Sequence, residues 1–146
     1  MGHFNEVVIV PTVMRELRRY APELWENGHP TWLTLAAPSS AGASQAKKWV
    51  DSDVLDPGEA ESLAIAKELS PNLFLTDDTA ARVMAESLGL VARGSLGVVL
   101  YCAATGRLNE AEARAHLAAL TSQTTLWLSS TVKQRADTAL SKIFSV

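Results

Sequence analysis

The chain has 146 residues, 47% of them apolar and 20% charged, which suits one globular domain and excludes a disordered segment. Thirteen Lys and Arg against sixteen Asp and Glu leave a net charge of -3, which excludes a nucleic-acid binder held by bulk positive charge but not a local basic patch. The single Cys102 excludes a disulfide framework and multi-cysteine metal centres.

No apolar run reaches the ~18 residues of a membrane span. Met1 to Glu6 lack the basic flank and apolar stretch of a secretory signal, so a cytoplasmic domain is expected. Val7-Val8-Ile9-Val10 is a β-branched run that predicts a strand buried on both faces. Pro11-Thr12 opens a helix over Val13 to Tyr20, with Val13, Leu17 and Tyr20 at core-facing spacing. Asn27-Gly28-His29-Pro30 breaks the chain, and Thr31 to Ala36 reads as a second strand. Pro38 to Ser44 is small, polar and glycine-containing, and reads as a loop.

Asp56-Pro57-Gly58-Glu59 is the clearest helix start, leading into Ala60 to Leu69 with Leu63, Ala66 and Leu69 on one face. Leu73 to Thr76 predicts a buried strand that runs into Asp77-Asp78, a good helix cap. A helix over Thr79 to Leu88 stops at Gly89. Leu90 to Ala92 predicts a short strand and Leu96 to Thr105 an apolar helix that ends at Gly106. Asn109 caps a helix over Glu110 to Leu120, Thr124 to Leu128 suits an edge strand, and Thr131 to Phe144 is a closing amphipathic helix. Strands alternating with helices across short connections predict an α/β fold with a mainly parallel sheet.

In such a sheet, ligands bind beyond the carboxyl ends of the strands. Asp77 and Asp78 follow a strand directly, Glu16 lies in the helix fed by the first strand, and Glu59 and Glu61 open a helix whose start can reach the same rim. Clustered carboxylates repel one another unless a cation neutralises them. Mg²⁺ and Mn²⁺ take oxygen ligands of this kind, activate water and stabilise charge on a phosphoryl group. A structural reading stands beside this one. Asp77 or Asp78 serves as an N-cap, Glu59 and Glu61 suit a helix dipole, and Glu16 beside Arg15 and Arg18 suits a solvated face. Gly94-Ser95-Leu96-Gly97 lacks the spacing of a nucleotide-binding fingerprint, and Ser95 reads as a cap. His3, His29 and His116 have no local ligand spacing, and Cys102 reads as a buried inert thiol. Trp25, Trp32, Trp49 and Trp127 read as core or interface residues.

Asp56-Pro57-Gly58-Glu59-Ala60-Glu61-Ser62-Leu63-Ala64 resembles the Gly-Glu-Ala-Glu segment of a PIN-domain-like family. Val7 to Leu17, Leu75-Thr76-Asp77-Asp78 through Ala81-Arg82, Leu88-Gly89-Leu90 and Gly94-Ser95-Leu96-Gly97-Val98-Val99 fall in that family's order and spacing. The likeness runs on to Trp127-Leu128-Ser129 and is to the branch described as predicted nucleic-acid-binding proteins containing a PIN domain. It implies one domain over residues 1–146, a three-layer α/β/α fold with a mainly parallel central sheet, and Mg²⁺- or Mn²⁺-dependent ribonuclease activity, often as the toxin of a toxin–antitoxin pair. By resemblance Glu16, Glu61 and Asp78 are the catalytic acids, and Glu59 and Asp77 join them as metal ligands. Arg15, Arg18, Arg19, Lys47, Lys48, Arg82 and Ser95 are the candidate contacts to single-stranded RNA. An antitoxin protein and a homodimer are the implied protein partners, with Trp127 and the closing helix contributing to the dimer surface.

One departure stands out. The family's N-terminal strand, central in its sheet and ending in a metal-binding Asp, is missing: no Asp follows an apolar run ahead of Val7. A start assigned too far downstream, an inactive truncated form, or a strand supplied by another chain each accounts for this. The expectation for the chain as it stands is domain-swapped pairing or a sheet closed up without that strand. The alternative function is a non-catalytic nucleic-acid-binding or protein-interaction module on the same fold.

Overall fold

The computed structural model describes residues 6–145, so His3 lies outside the described residues. The elements in order are β1 (Val7–Ile9), α1 (Pro11–Tyr20), a 3₁₀ turn (Pro22–Trp25), β2 (Leu33–Leu35), α2 (Ser40–Asp51), α3 (Pro57–Leu69), β3 (Phe74–Leu75), α4 (Thr79–Ser87), β4 (Ala92–Arg93), α5 (Ser95–Ala104), α6 (Glu110–Ser122) and α7 (Ser130–Phe144). No described helix is long and apolar enough to cross a membrane. The chain divides into two compact units: residues 1–74 with 78–92, and residues 75–77 with 93–146.

The strands form two parallel pairs. β1 pairs with β2, Val7 opposite Leu33 and Ile9 opposite Leu35. β3 pairs with β4, where Phe74 N–H donates to Val91 O at 2.8 Å and Thr76 N–H to Arg93 O at 2.9 Å. Among the described residues β1 and β3 are not neighbours in a sheet. The closed-up sheet is therefore not what forms: the parallel sheet is present as two pairs. The expectation that the first strand is buried on both faces is also corrected, because exposure alternates along β1. Ile9 and Val10 are buried, whereas Val8 is 36% exposed.

In the first unit the core is built on α3, whose Leu63 and Ala60 are fully buried, together with Phe74, Ala81 and Ala85. Alanine at so many buried positions lets the helices approach closely, so little volume has to be filled. The predicted face of α3 is right at Leu63 and Ala66, but Leu69 is exposed. On α1 the buried residue is Met14, and Tyr20, placed inward by spacing, is 76% exposed. The second unit packs α5, α6 and α7 around Ala103, Ala113, Leu117, Ala136 and Leu140.

Two segments differ from their sequence reading. The expected loop over Pro38 to Ser44 is the start of α2. Ser39 caps it, accepting from Gly42 N–H at 3.1 Å, and Glu68 of α3 accepts from Ser39 N–H at 3.1 Å. Those two acceptors satisfy orphan donors that glycine and serine propensities alone leave open. The expected edge strand over Thr124 to Leu128 is irregular, and Thr124 turns back onto the end of α6 by donating to Leu120 O. Cys102 is half-buried rather than enclosed. Of the four tryptophans, Trp25 and Trp49 are half-buried, Trp32 is 54% exposed and Trp127 is 81% exposed, so the last two are not core residues.

Candidate functional site

Several acids of the first unit lie around the first turns of α3, an acidic pole: Glu59 and Glu61 on α3 itself, Glu16 from α1, and Asp78 from the cap of α4, which acts on Glu59. Helix starts leave backbone N–H groups without partners, and they carry a partial positive charge. The N-cap of α1 is Val10, which has no side-chain acceptor, so a donor there is met from outside the helix: Thr12 N–H donates to Glu61 Oε2 of α3 at 3.1 Å. One turn further along α1, Glu16 lies over the first turn of α3. A Cβ added to buried Gly58 would stand 3.3 Å and 3.5 Å from the two Glu16 carboxylate oxygens and 3.1 Å from Val13 Cγ2. Glycine at position 58 is what leaves room for this approach.

Glu59 stands at the third position of α3 and accepts from Asp56 N–H at 3.2 Å, the return arm of a capping box. Its carboxyl is held above the ordinary carboxylate value. Partial burial is the largest cause. The charge of Asp78 comes next among the raising causes, and Asp56 and Glu16 add to it, while the Asp56 backbone bond acts in the opposite direction. Three acids from three elements therefore bear on Glu59: Asp78 from the start of α4, Asp56 from the cap of α3, and Glu16 from α1. Asp78 is itself an N-cap, accepting from Ala81 N–H at 2.7 Å.

Asp77 belongs to the second unit. It accepts from Ser95 N–H at 2.7 Å and from the Ser95 hydroxyl, and so supplies the acceptor that the Gly94 cap of α5 lacks. Ser95 is the first residue of α5 rather than its cap.

The expected RNA-contacting cations are mostly engaged within the chain. Arg15 donates to Thr12 Oγ1 at 2.9 Å, Arg18 lies over the Trp25 ring at 5.9 Å and Arg19 over the Tyr20 ring at 5.4 Å. Lys47 pairs with Asp51 at 2.6 Å one turn along α2. Arg82 is half-buried on α4, and Lys48 is exposed.

Sequence reasoning placed Glu16, Glu59, Glu61, Asp77 and Asp78 on one rim; in the structure Asp78 and Glu16 act on Glu59, whereas Glu61 is taken up by the start of α1 and Asp77 by the start of α5. It missed Asp56 as a contributor of charge, although its place three residues before Glu59 in a capping box was the available signal. It also missed that Glu61 and Asp77 serve helices other than those they open or precede. No local pattern encodes such long-range caps.

The chemistry of the pole fits a hard divalent cation: the donors are all carboxylate oxygens, and they disfavour one another's charge at Glu59. Among the described residues, however, no three Asp, Glu, His or Cys side chains stand close enough to share one ion as placed. Glu16 is exposed.

An α/β chain with short parallel strand pairs and acids gathered at helix starts is the class that the fold and this pole define. A family model described as a PIN domain, DUF3368, matches residues 2–142, and the chain belongs to that family. The match spans both compact units. No curated protein and no solved structure shows significant similarity to the chain.

Proposed function

We propose that the chain is a single PIN-type domain over residues 1–146 that hydrolyses phosphodiester bonds in single-stranded RNA with Mg²⁺ or Mn²⁺. The observation that carries this reading is the placement of carboxylates about the first turns of α3: Glu16 oxygens beside Gly58, Glu61 at Thr12 N–H and Glu59 in the capping box, with burial and then Asp78 raising the Glu59 carboxyl. Such a set attracts a doubly charged ion and repels the phosphate unless one is there. Glu16, Glu59 and Asp78 would hold the ion. When bound, it supplies a hydroxide-like water and neutralises charge on the phosphoryl oxygens.

The rest is work for the chain's own residues. Glu61 anchors the start of α1 through Thr12 N–H and thereby sets where Glu16, four residues on, presents its carboxylate. Gly58 leaves the space into which that carboxylate leans. Asp78 is held by the Ala81 N–H. Asp77 fixes the start of α5 through Ser95.

The test uses amide variants, which keep the shape and a capping oxygen while removing the charge. Glu16→Gln, Glu59→Gln and Asp78→Asn should each cut Mn²⁺-dependent cleavage of labelled single-stranded RNA by at least about tenfold, in line with the scale of a lost charge-assisted contact. Asn is as good an N-cap as Asp, so Asp78→Asn should fold normally. Cleavage that survives all three variants sinks the proposal.

A second reading, a non-catalytic RNA-binding module, is favoured by one observation: Glu59, Glu61 and Asp78 already accept helix-start or capping N–H groups. In that case the amide variants bind RNA more tightly than the parent protein, because repulsion is removed, and divalent ions change nothing.

A further inference from the structure

We infer that the exposed face of α7 is a binding track for the phosphodiester backbone of single-stranded RNA, distinct from the acidic pole. It rests on the reading of the chain as a protein that acts on RNA. An open surface patch along this helix is made by Thr131, Gln134, Arg135, Thr138, Ala139 and Lys142. Counted from Thr131, these positions fall at i, i+3, i+4, i+7, i+8 and i+11, and so form one face. The opposite face, with Ala136 and Leu140, is buried in the core of the second unit.

Three features select the occupant. No acid stands in the patch, in a chain whose acids outnumber its Lys and Arg sixteen to thirteen. The acid of α7, Asp137, faces Arg114 at 3.6 Å instead. Five of the six lining residues are Arg, Lys, Thr or Gln, the side-chain types that contact phosphates. The sixth is alanine, so the face lacks the apolar bulk that a membrane-surface helix or a protein-interface anchor requires. Arg135 and Lys142 are both exposed. They stand seven positions apart, roughly 10 Å along the axis, more than the ~8 Å Debye length at physiological salt. Each cation therefore neutralises its own phosphate along an extended strand. Several cations of the sequence-based set, Arg15, Arg18, Arg19 and Lys47, are engaged with internal partners, which leaves the cations of this face the freer to bind phosphates.

The experiment measures binding of a fluorescein-labelled single-stranded RNA oligomer by anisotropy, in EDTA so that no cleavage occurs, across a KCl series. Each phosphate contact contributes about 0.7 to the slope of log K against log salt for a single strand. Arg135→Gln/Lys142→Gln should lower the slope by about 1.4, equivalent to losing about sevenfold less affinity across a fourfold rise in salt. Lys133→Gln, on α7 but outside the patch, should leave the slope unchanged. Circular dichroism and melting check that the exposed substitutions leave the fold intact. An unchanged slope in the double variant overturns the inference, as does an equal fall in Lys133→Gln, which would mean diffuse charge. Displacement of the RNA by polyglutamate more readily than by unlabelled RNA also overturns it in favour of an acidic protein partner. If the parent protein cleaves RNA with Mn²⁺ while the double variant keeps its slope, this inference alone fails. If the parent neither binds nor cleaves, the proposed function fails with it.

Discussion

Replacing Glu61 separates a structural carboxylate from a reactive one. Its Oε2 accepts from Thr12 N–H at 3.1 Å across a sequence gap of 49 residues, at a helix whose own N-cap is Val10 and offers no acceptor. Glu61→Ala leaves that part-buried N–H without its partner and removes a charge from the positive end of α1. A missing cap costs about 0.5–2 kcal/mol, and the charge–dipole contribution is about 0.3–1 kcal/mol. Together they place the loss near 1–2 kcal/mol. For a chain of this size that is roughly 2–8 °C in Tm. Glu61→Gln retains an oxygen at the same reach and forfeits only the charge, so its loss should stay below about 1 kcal/mol. Urea unfolding followed by circular dichroism reads both variants, with an unchanged m-value marking a true stability effect. RNA cleavage is measured in parallel. If Glu61→Ala melts with the parent protein while both variants lose cleavage equally, Glu61 is a ligand and not the anchor of α1, and the argument from helix capping is wrong.

Two further outcomes follow from the same geometry. Because Glu59 is raised above its ordinary value of 4.5, the folded chain holds its proton more tightly than the unfolded chain does. Its charge therefore costs stability at neutral pH, and that cost fades as pH falls through the folded-state value towards the unfolded one. Glu59→Gln, which keeps the capping-box oxygen, should be more stable than the parent at pH 7 by no more than about 1 kcal/mol at this partly exposed site. The gap should close by about pH 4; a gap independent of pH contradicts the electrostatic account. Gly58→Val puts two methyl groups where a Cβ alone meets Val13 at 3.1 Å and Glu16 at 3.3 Å. Overpacking of that kind costs about 1–3 kcal/mol, read as a lower urea midpoint. A Gly58→Val variant as stable as the parent would mean that α1 does not lie against α3 as described.

How much of this the sequence carries depends on how local each cause is. The start of α3 at Asp56-Pro57-Gly58-Glu59, the stop of α4 before Gly89 and the cap of α6 at Asn109 are all found where expected. Each depends on residues three or four apart that satisfy one another. The start of α2 reads as loop because one of its acceptors, Glu68, comes from 29 residues away. Tyr20 points inward by spacing alone because spacing gives a stripe but not which neighbour covers it.

The order of residues alone was enough to define the family and the alternation of strands with helices. Periodicity, caps and short motifs are written within a turn or two of chain. Tertiary structure decided the rest: that the strands pair two by two, that Glu61 and Asp77 belong to the starts of α1 and α5, and that Gly58 makes room for Glu16. The reason is that a helix start takes whichever oxygen the packed chain brings to it. That choice is made by distance in space, which spacing along the sequence does not record.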